Sequence, residues 1–335
     1  MKSRMVTVFG GSGFIGRHLV HRLATEDTIL RVAVRDPEAA KFLKLAGEVG
    51  QILLEPANIA DEASVRRAVE GADQVVNLVG ILFERGRQSF QAIHVEGARN
   101  VAVAAKAAGV KRLVHVSALG ADPASPSAYA RSKAAGEAAV AEAYGQATIL
   151  RPSVVFGPED DFLNRFAAMA QLMPALPVFF RGIPKLDPFK DFPFPSVEFE
   201  AGATRLQPAY VGDVAEALAK TLDDPETLGR SYELGGPEVY RLIDIMRLVL
   251  KLTGQRRLLL PLPFAAAEIL AIFLGLLPVP PLTRDQVRLL KADNVVAPGA
   301  LGFADLKITP QALELVAPTY LRRFGRPRAE QTEAS

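Results

Sequence analysis

The chain has 335 residues, enough for one large α/β domain and a smaller lobe. Hydrophobic residues make up 49% of it, which supports a sizeable core and excludes a disordered chain. The 39 basic and 37 acidic side chains leave a formal charge of +2, so nothing calls for a nucleic-acid partner, and the lack of cysteine excludes disulfides, thiolate metal sites and a cysteine nucleophile. The histidines His18, His21, His94 and His115 show no metal-ligand spacing, so no metal site is expected. The apolar run after Met5 is broken by glycines and lacks a cleavage site, so no signal peptide is read and a cytosol-facing location is expected.

In chain order, "MVTVFG" is a β-type run. It enters Gly10, Gly11, Ser12, Gly13, Phe14, Ile15 and Gly16, and the helical pattern "RHLVHRLA" follows. Strand, glycine turn and helix form the context of a dinucleotide-phosphate motif. Gly11 and Gly13 let the backbone approach a pyrophosphate, and Gly16 lets the helix pack on the sheet. The N–H groups at the helix start, from Ser12 through Ile15, face the phosphates.

The second strand, "ILRVAVR", ends at Arg35, where an NAD site usually carries a carboxylate. Arginine can neutralise a 2'-phosphate, which favours NADPH over NAD, while the adjacent Asp36 can take the acceptor role. The third strand, "QILLEP", leads to Asn58 and Ile59. Asn58 is placed either to bond the adenine edge or to close a turn. The fourth, "QVVNLVG", brings Val79 and Gly80 to the nicotinamide side, and the fifth, "VKRLVHVSALG", carries Ser117 near its end. Ligand groups gather at that edge of an open α/β sheet.

"SAYARSKAAGE" sets Tyr129 and Lys133 four residues apart, on one face of a helix. The lysine ammonium can lower the phenol pKa and bond the nicotinamide ribose. The tyrosine can pass a proton as a carbonyl gains or loses hydride. A packing tyrosine with a solvated lysine has the same spacing.

The segments "GGSGFIG", "NLVG", "HVEGARNV", "LVHVSALG", "YARSK" and "ILRPSVVFGPED" resemble the short-chain dehydrogenase/reductase superfamily, in its extended or atypical branch. Later motifs, "RPSVVFGPEDDFLNRFA", "LQPAYVGDVAEA" and "PPLTRDQVRLLKADNVV", resemble the 39 kDa accessory subunit family of respiratory complex I, which has similar members in alphaproteobacteria. That second resemblance spans nearly the whole chain. It implies a Rossmann-type doubly wound parallel sheet with a smaller, mostly helical C-terminal lobe. It also implies a tightly held NADPH and attachment to complex I subunits where the peripheral arm meets the membrane. Residue by residue, it implies pyrophosphate on Gly10, Gly13 and Gly16, the 2'-phosphate on Arg35, the nicotinamide ribose on Lys133, and the nicotinamide near Pro152.

One departure matters. Active extended members carry a run such as "SSS" or "SST" after the fifth strand, with the catalytic hydroxyl late in it. Here the run is Ser117, Ala118 and Leu119. Leucine cannot bond a carbonyl oxygen, so turnover is expected to be poor unless Ser117 turns inward. The expected function is an NADPH-binding accessory subunit with a structural role. The alternative is an NADP-dependent reductase or epimerase acting on a small carbonyl, an isoprenoid or a nucleotide sugar.

The expected domains are a core over 1–157 and a smaller lobe over 158–324, with 207–235 returning to the core sheet and a disordered tail over 325–335. The proline- and phenylalanine-rich segment 183–202 reads as an irregular loop. The run "LLLPLPFAAAEILAIFLGLLPVPPL" is nearly long enough to span a bilayer, but Glu268 and the bounding prolines leave only 264–277 free to be helical. A buried or interfacial helix is expected there, with Arg256, Arg257 and Arg284 available to anionic headgroups or to a partner subunit. The expected location is peripheral, on the cytoplasmic face of the inner membrane.

Overall fold

The computed structural model describes residues 4–180, 185–187, 196–198, 204–275, 277 and 280–325. Two units make up the chain. The first comprises Met1–Ser153, Ala209–Gly236 and Val295–Pro310. Its apolar runs form strands β1 (Arg4–Phe9), β2 (Thr28–Val34), β3 (Ile52–Pro56), β4 (Gln74–Asn77), β5 (Arg112–Val116), β6 (Thr148–Pro152) and β7 (Ser231–Leu234). They lie in the order β7-β6-β5-β4-β1-β2-β3, and every pair is parallel. The order reverses between β1 and β4, which opens the crevice where ligands bind in such sheets. This is the Rossmann-like core expected from the glycine motif.

Covering both faces of a parallel sheet makes its central strands apolar throughout, and β5 is buried at every residue. The helices are α1 (Phe14–Ala24), α2 (Glu62–Val69), α3 (Ala98–Ala107), α4 (Ala128–Tyr144) and α5 (Val211–Asp223). Helix α1 packs on α5, and α3 packs between α2 and α4. Arg22 of α1 joins Glu216 of α5 as an ion pair. The alanines of α3 let it lie close over Phe9, Val75, Leu113 and Ile149 in one apolar cluster. Helix α5 starts at Val211, so Asp213 lies in its first turn rather than capping it.

The second unit comprises Val154–Pro208, Pro237–Asn294 and Gln311–Ser335. Strand Ala175–Phe180 pairs in parallel with Leu258–Pro263. Pro261 and Pro263 are tolerated because, among the described residues, the sheet has these two strands, both of them edges. The helix expected over 264–277 runs Phe264–Leu274 and stops at Gly275. It buries Phe264, Ala267 and Ala271 along one stripe, while Ile269, Leu270, Ile272 and Phe273 are exposed. Glu268 pairs with Lys291. Among the described residues, no helix is long and apolar enough to cross a membrane. Of the segment 183–202, only 185–187 and 196–198 are described, as an antiparallel pair. Residues 326–335 lie outside the described residues, with Arg326 and Arg328 among them.

The buried Asp160 carboxylate organises this unit. One oxygen accepts the Leu163 and Asn164 N–H groups, and the other accepts the Gly157 N–H at 3.1 Å and the Tyr320 hydroxyl at 2.7 Å. It thereby fixes the start of helix Leu163–Leu172 and ties it to helix Leu313–Leu321. Asp160→Ala strands four donors without an acceptor. It is expected to cost about 3 kcal/mol in urea unfolding, against about 1 kcal/mol for Tyr320→Phe.

Candidate functional site

At the end of β1 the chain must reverse into α1 within four residues. Gly10 does so in the left-handed region, at φ +78°. The Gly13 N–H donates to the Gly10 carbonyl at 3.0 Å, and the Arg17 N–H to the Gly13 carbonyl at 3.0 Å. A β-carbon on Gly11 would fall 2.5 Å from Val32 Cγ1. One on Gly16 would fall 2.3 Å from the Gly10 oxygen. The turn therefore closes only with glycine at both. Gly13 caps α1 with no side-chain acceptor, and the first turn carries no acidic residue. The N–H groups at Ser12, Phe14 and Ile15 thus face an anion site with no carboxylate competing for it. A pyrophosphate fits this cradle.

Arg17 was not singled out by the motif. Its guanidinium stacks on the Phe42 ring at 5.3 Å, with one nitrogen 3.5 Å from the Ser12 oxygen. Its Nε is buried with no acceptor. This places a cation beside the glycine turn.

Beyond β2, Arg35 and Asp36 are both exposed. One Asp36 oxygen accepts the Ala39 N–H at 3.1 Å. Asn58 closes its own turn: Oδ1 accepts the Ala60 N–H at 3.1 Å, and its carbonyl accepts from Asp61 and Ser64. Ile59 sends its side chain into the core, and its carbonyl accepts from Asn100 at 2.9 Å.

The ends of β4 and β5 bring the remaining residues together. A β-carbon on Gly10 would touch Val79 Cγ2 at 3.2 Å, so the loop after β4 packs on the glycine turn. One on Gly80 would lie 3.8 Å from Lys133 Nζ. Lys133 is buried and donates to the Val116 carbonyl at 2.9 Å, beside Ser117. Burial pushes its pKa down to about 8, against the opposing pull of Glu137. The spacing of Tyr129 and Lys133 led to the expectation of a lowered phenol pKa. Instead, burial pushes Tyr129 up to about 12. The Ser117 and Leu119 N–H groups bond the Leu150 and Pro152 carbonyls at 2.8 and 2.9 Å. The ladder thus continues past β5, and Ser117 and Leu119 share one side of it. Both are buried, and the Ser117 Oγ has no hydrogen-bond partner. Among the described residues, no cluster of His, Asp and Glu could hold a metal ion.

The model of the NAD dependent epimerase/dehydratase family matches residues 6–235, from within β1 through β7. The chain belongs to that family. It is 33% identical over 321 residues to the mitochondrial NADH dehydrogenase (ubiquinone) 1 alpha subcomplex subunit 9 of Mus musculus, covering 95% of this chain and 80% of that protein. It is therefore a homologue of this accessory subunit of complex I. Ceramide reductase of Caulobacter vibrioides is 37% identical over 175 residues, which is 52% of this chain and 53% of that one. Among solved structures, Thermus thermophilus UDP-glucose 4-epimerase in complex with NAD has a TM-score of 0.64 at 20% identity, covering 96% of this chain and 98% of that one.

Solved structures of this fold correct the NADPH expectation. The Thermus epimerase holds NAD, and so do two further proteins of this fold solved with UDP-sugar ligands. Arg35 alone does not decide the matter, because Asp36 beside it is a carboxylate able to accept from ribose hydroxyls.

Proposed function

We propose that this chain is an accessory subunit of a complex I-type NADH:ubiquinone oxidoreductase, holding NAD(H) at its glycine turn with little or no turnover. The observation that carries the reading is the 33% identity to the mouse subunit over 95% of the chain. In this reading Gly10, Gly11, Gly13 and Gly16 shape the pyrophosphate cradle, and the N–H groups from Ser12 to Ile15 bind it. Asp36 and Arg35 meet the adenosine ribose, with Asn58 and the Ile59 backbone beside adenine. Val79, Gly80 and Pro152 border the nicotinamide, and Lys133 bonds its ribose. Bound NAD(H) would supply hydride chemistry at that end. Burial raises the Tyr129 phenol, which disfavours its deprotonation, and Leu119 stands where a hydroxyl is expected; both favour a vestigial site.

The assembly would seat the chain peripherally, on the cytoplasmic face of the inner membrane. The exposed Ile269, Leu270, Ile272 and Phe273 of one helix, and Leu258 and Leu260 of the strand before it, offer apolar side chains suited to a partner subunit or a lipid boundary. Native membranes carrying the tagged chain should be solubilised gently and examined by native mass spectrometry. The expected result is co-migration with the oxidoreductase and release of one NAD(H) per chain. Migration as a free protein would overturn the assignment.

A second reading, a reductase of a lipid-type carbonyl, draws on the ceramide reductase match and on the unpartnered Ser117 hydroxyl. It requires substrate-dependent loss of NADH absorbance, abolished by Tyr129→Phe.

A further inference from the structure

His94 opens the segment "HVEGARNV", and the chain adopts an uncommon backbone to place it. Residues Gln91–Gly97 form a π-helix that runs straight into α3. Such wide turns are rare, and they concentrate at functional sites. Two glycines make room for this one. A β-carbon on Gly136 of α4 would fall 2.2 Å from the His94 carbonyl oxygen, and one on Gly97 would fall 2.6 Å from Ile59 Cδ1. The π-helix therefore lies directly against α4.

The His94 ring is buried, and both its nitrogens are used. Nε2 accepts the Ile81 N–H at 3.0 Å, so the proton resides on Nδ1. Nδ1 then donates to Ser132 Oγ at 2.8 Å, and Ser132 donates to the Tyr129 carbonyl at 2.7 Å. The ring stacks on Phe90 at 5.2 Å and meets Tyr129 edge-on at 5.4 Å. The Phe90 N–H is itself held by Glu84 at 2.7 Å. A β-carbon on Gly80 would lie 3.6 Å from His94 Nε2, close to the same 3.8 Å separation from Lys133. His94 thus touches the loop after β4, the tyrosine ring and the surroundings of the lysine at once.

We propose that His94 is a positioning residue for the nicotinamide end of the dinucleotide site, acting through the Gly80–Ile81 backbone and the Tyr129 ring. The inference rests on the dinucleotide reading above. The Ile81 bond fixes the strand-end loop that borders the nicotinamide, and the edge-on contact fixes the tilt of the phenol. Burial and the Lys133 charge keep the ring neutral, so Nε2 remains an acceptor at physiological pH.

The test compares two ligands on the purified full-length chain by titration calorimetry. NADH reports the whole site; ADP-ribose lacks only the nicotinamide ring and reports the remainder, from the glycine turn to the ribose on Lys133. His94→Phe keeps the ring and removes both hydrogen bonds. It is expected to weaken NADH by about tenfold while leaving ADP-ribose within about twofold. His94→Gln, which restores an acceptor for Ile81, should recover part of the loss. If His94→Phe does not fold, Ser132→Ala removes only the Nδ1 partner and should give a smaller loss of the same selectivity. Equal weakening of both ligands, or none of either, overturns the positioning role. Failure of the unaltered chain to bind either ligand overturns the dinucleotide reading itself, and this inference with it.

Discussion

Gly16→Ala is expected to abolish NADH binding and to destabilise the chain by about 3 kcal/mol, the upper part of the range for overpacking a core. The added methyl would sit 2.3 Å from the Gly10 oxygen and 2.6 Å from the Gly11 α-carbon. Both are backbone atoms, so no rotamer change relieves the clash. Helix α1 cannot back away, because Leu19, Val20 and Leu23 are fully buried beneath it and Arg22 ties it to Glu216 of α5. Gly16 does not need a left-handed backbone, so alanine would otherwise gain about 1 kcal/mol of helix propensity. The loss is therefore steric, and it falls on the geometry that aims the N–H groups. Gly13→Ala is the control: its methyl meets only the Gly10 oxygen, at 3.2 Å. That variant should fold nearly normally, with urea midpoints close to the parent. A Gly16→Ala protein with parental stability and affinity would show that the turn does not close as described.

Much of the first unit was legible because its physics is local. Runs rich in Val, Ile and Leu give parallel strands, and β1 to β5 begin and end within a few residues of those runs. The glycine motif then fixes where the sheet order reverses. What escaped the sequence depends on pairing or burial. Strand Leu258–Pro263 holds two prolines and exists because Ala175–Phe180 lies beside it. The π-helix escaped too, since an apolar period cannot separate an i→i+5 turn from an ordinary one.

Site residues divide along the same line. The spacing of Tyr129 and Lys133 gave a shared helix face, but only burial sets the direction in which each titrates. Arg35 pointed to a 2'-phosphate because a strand-end cation is easy to read, whereas the weight of the adjacent Asp36 is not. His94 was dismissed for want of metal spacing. The positioning proposed for it rests instead on its contacts with Ile81, Ser132 and Phe90, which sequence spacing does not connect to it.

Acid is expected to weaken the fold steeply, through two histidines held neutral. Burial, with the Lys133 charge as the next cause, pushes both His94 and His115 down to about 3. In the unfolded chain each titrates near about 6.5. Between those values the unfolded state binds protons that the fold refuses, so stability is complete above about pH 6.5 and falls as pH drops towards about 3. Each histidine contributes up to about 1.4 kcal/mol per pH unit, and the pair up to about 2.7. At about pH 4.5 the combined loss exceeds about 5 kcal/mol, comparable with the whole stability of many domains. Asp160 opposes this trend, since burial raises its pKa and the fold takes up that proton more readily. It is one group against two. Urea midpoints measured from neutral pH down to about pH 5 should fall accordingly. The variants His94→Gln and His115→Gln should each remove about one proton from the slope. A double variant that keeps the parental slope would assign the acid sensitivity to carboxylates and leave both rings free to charge within the fold.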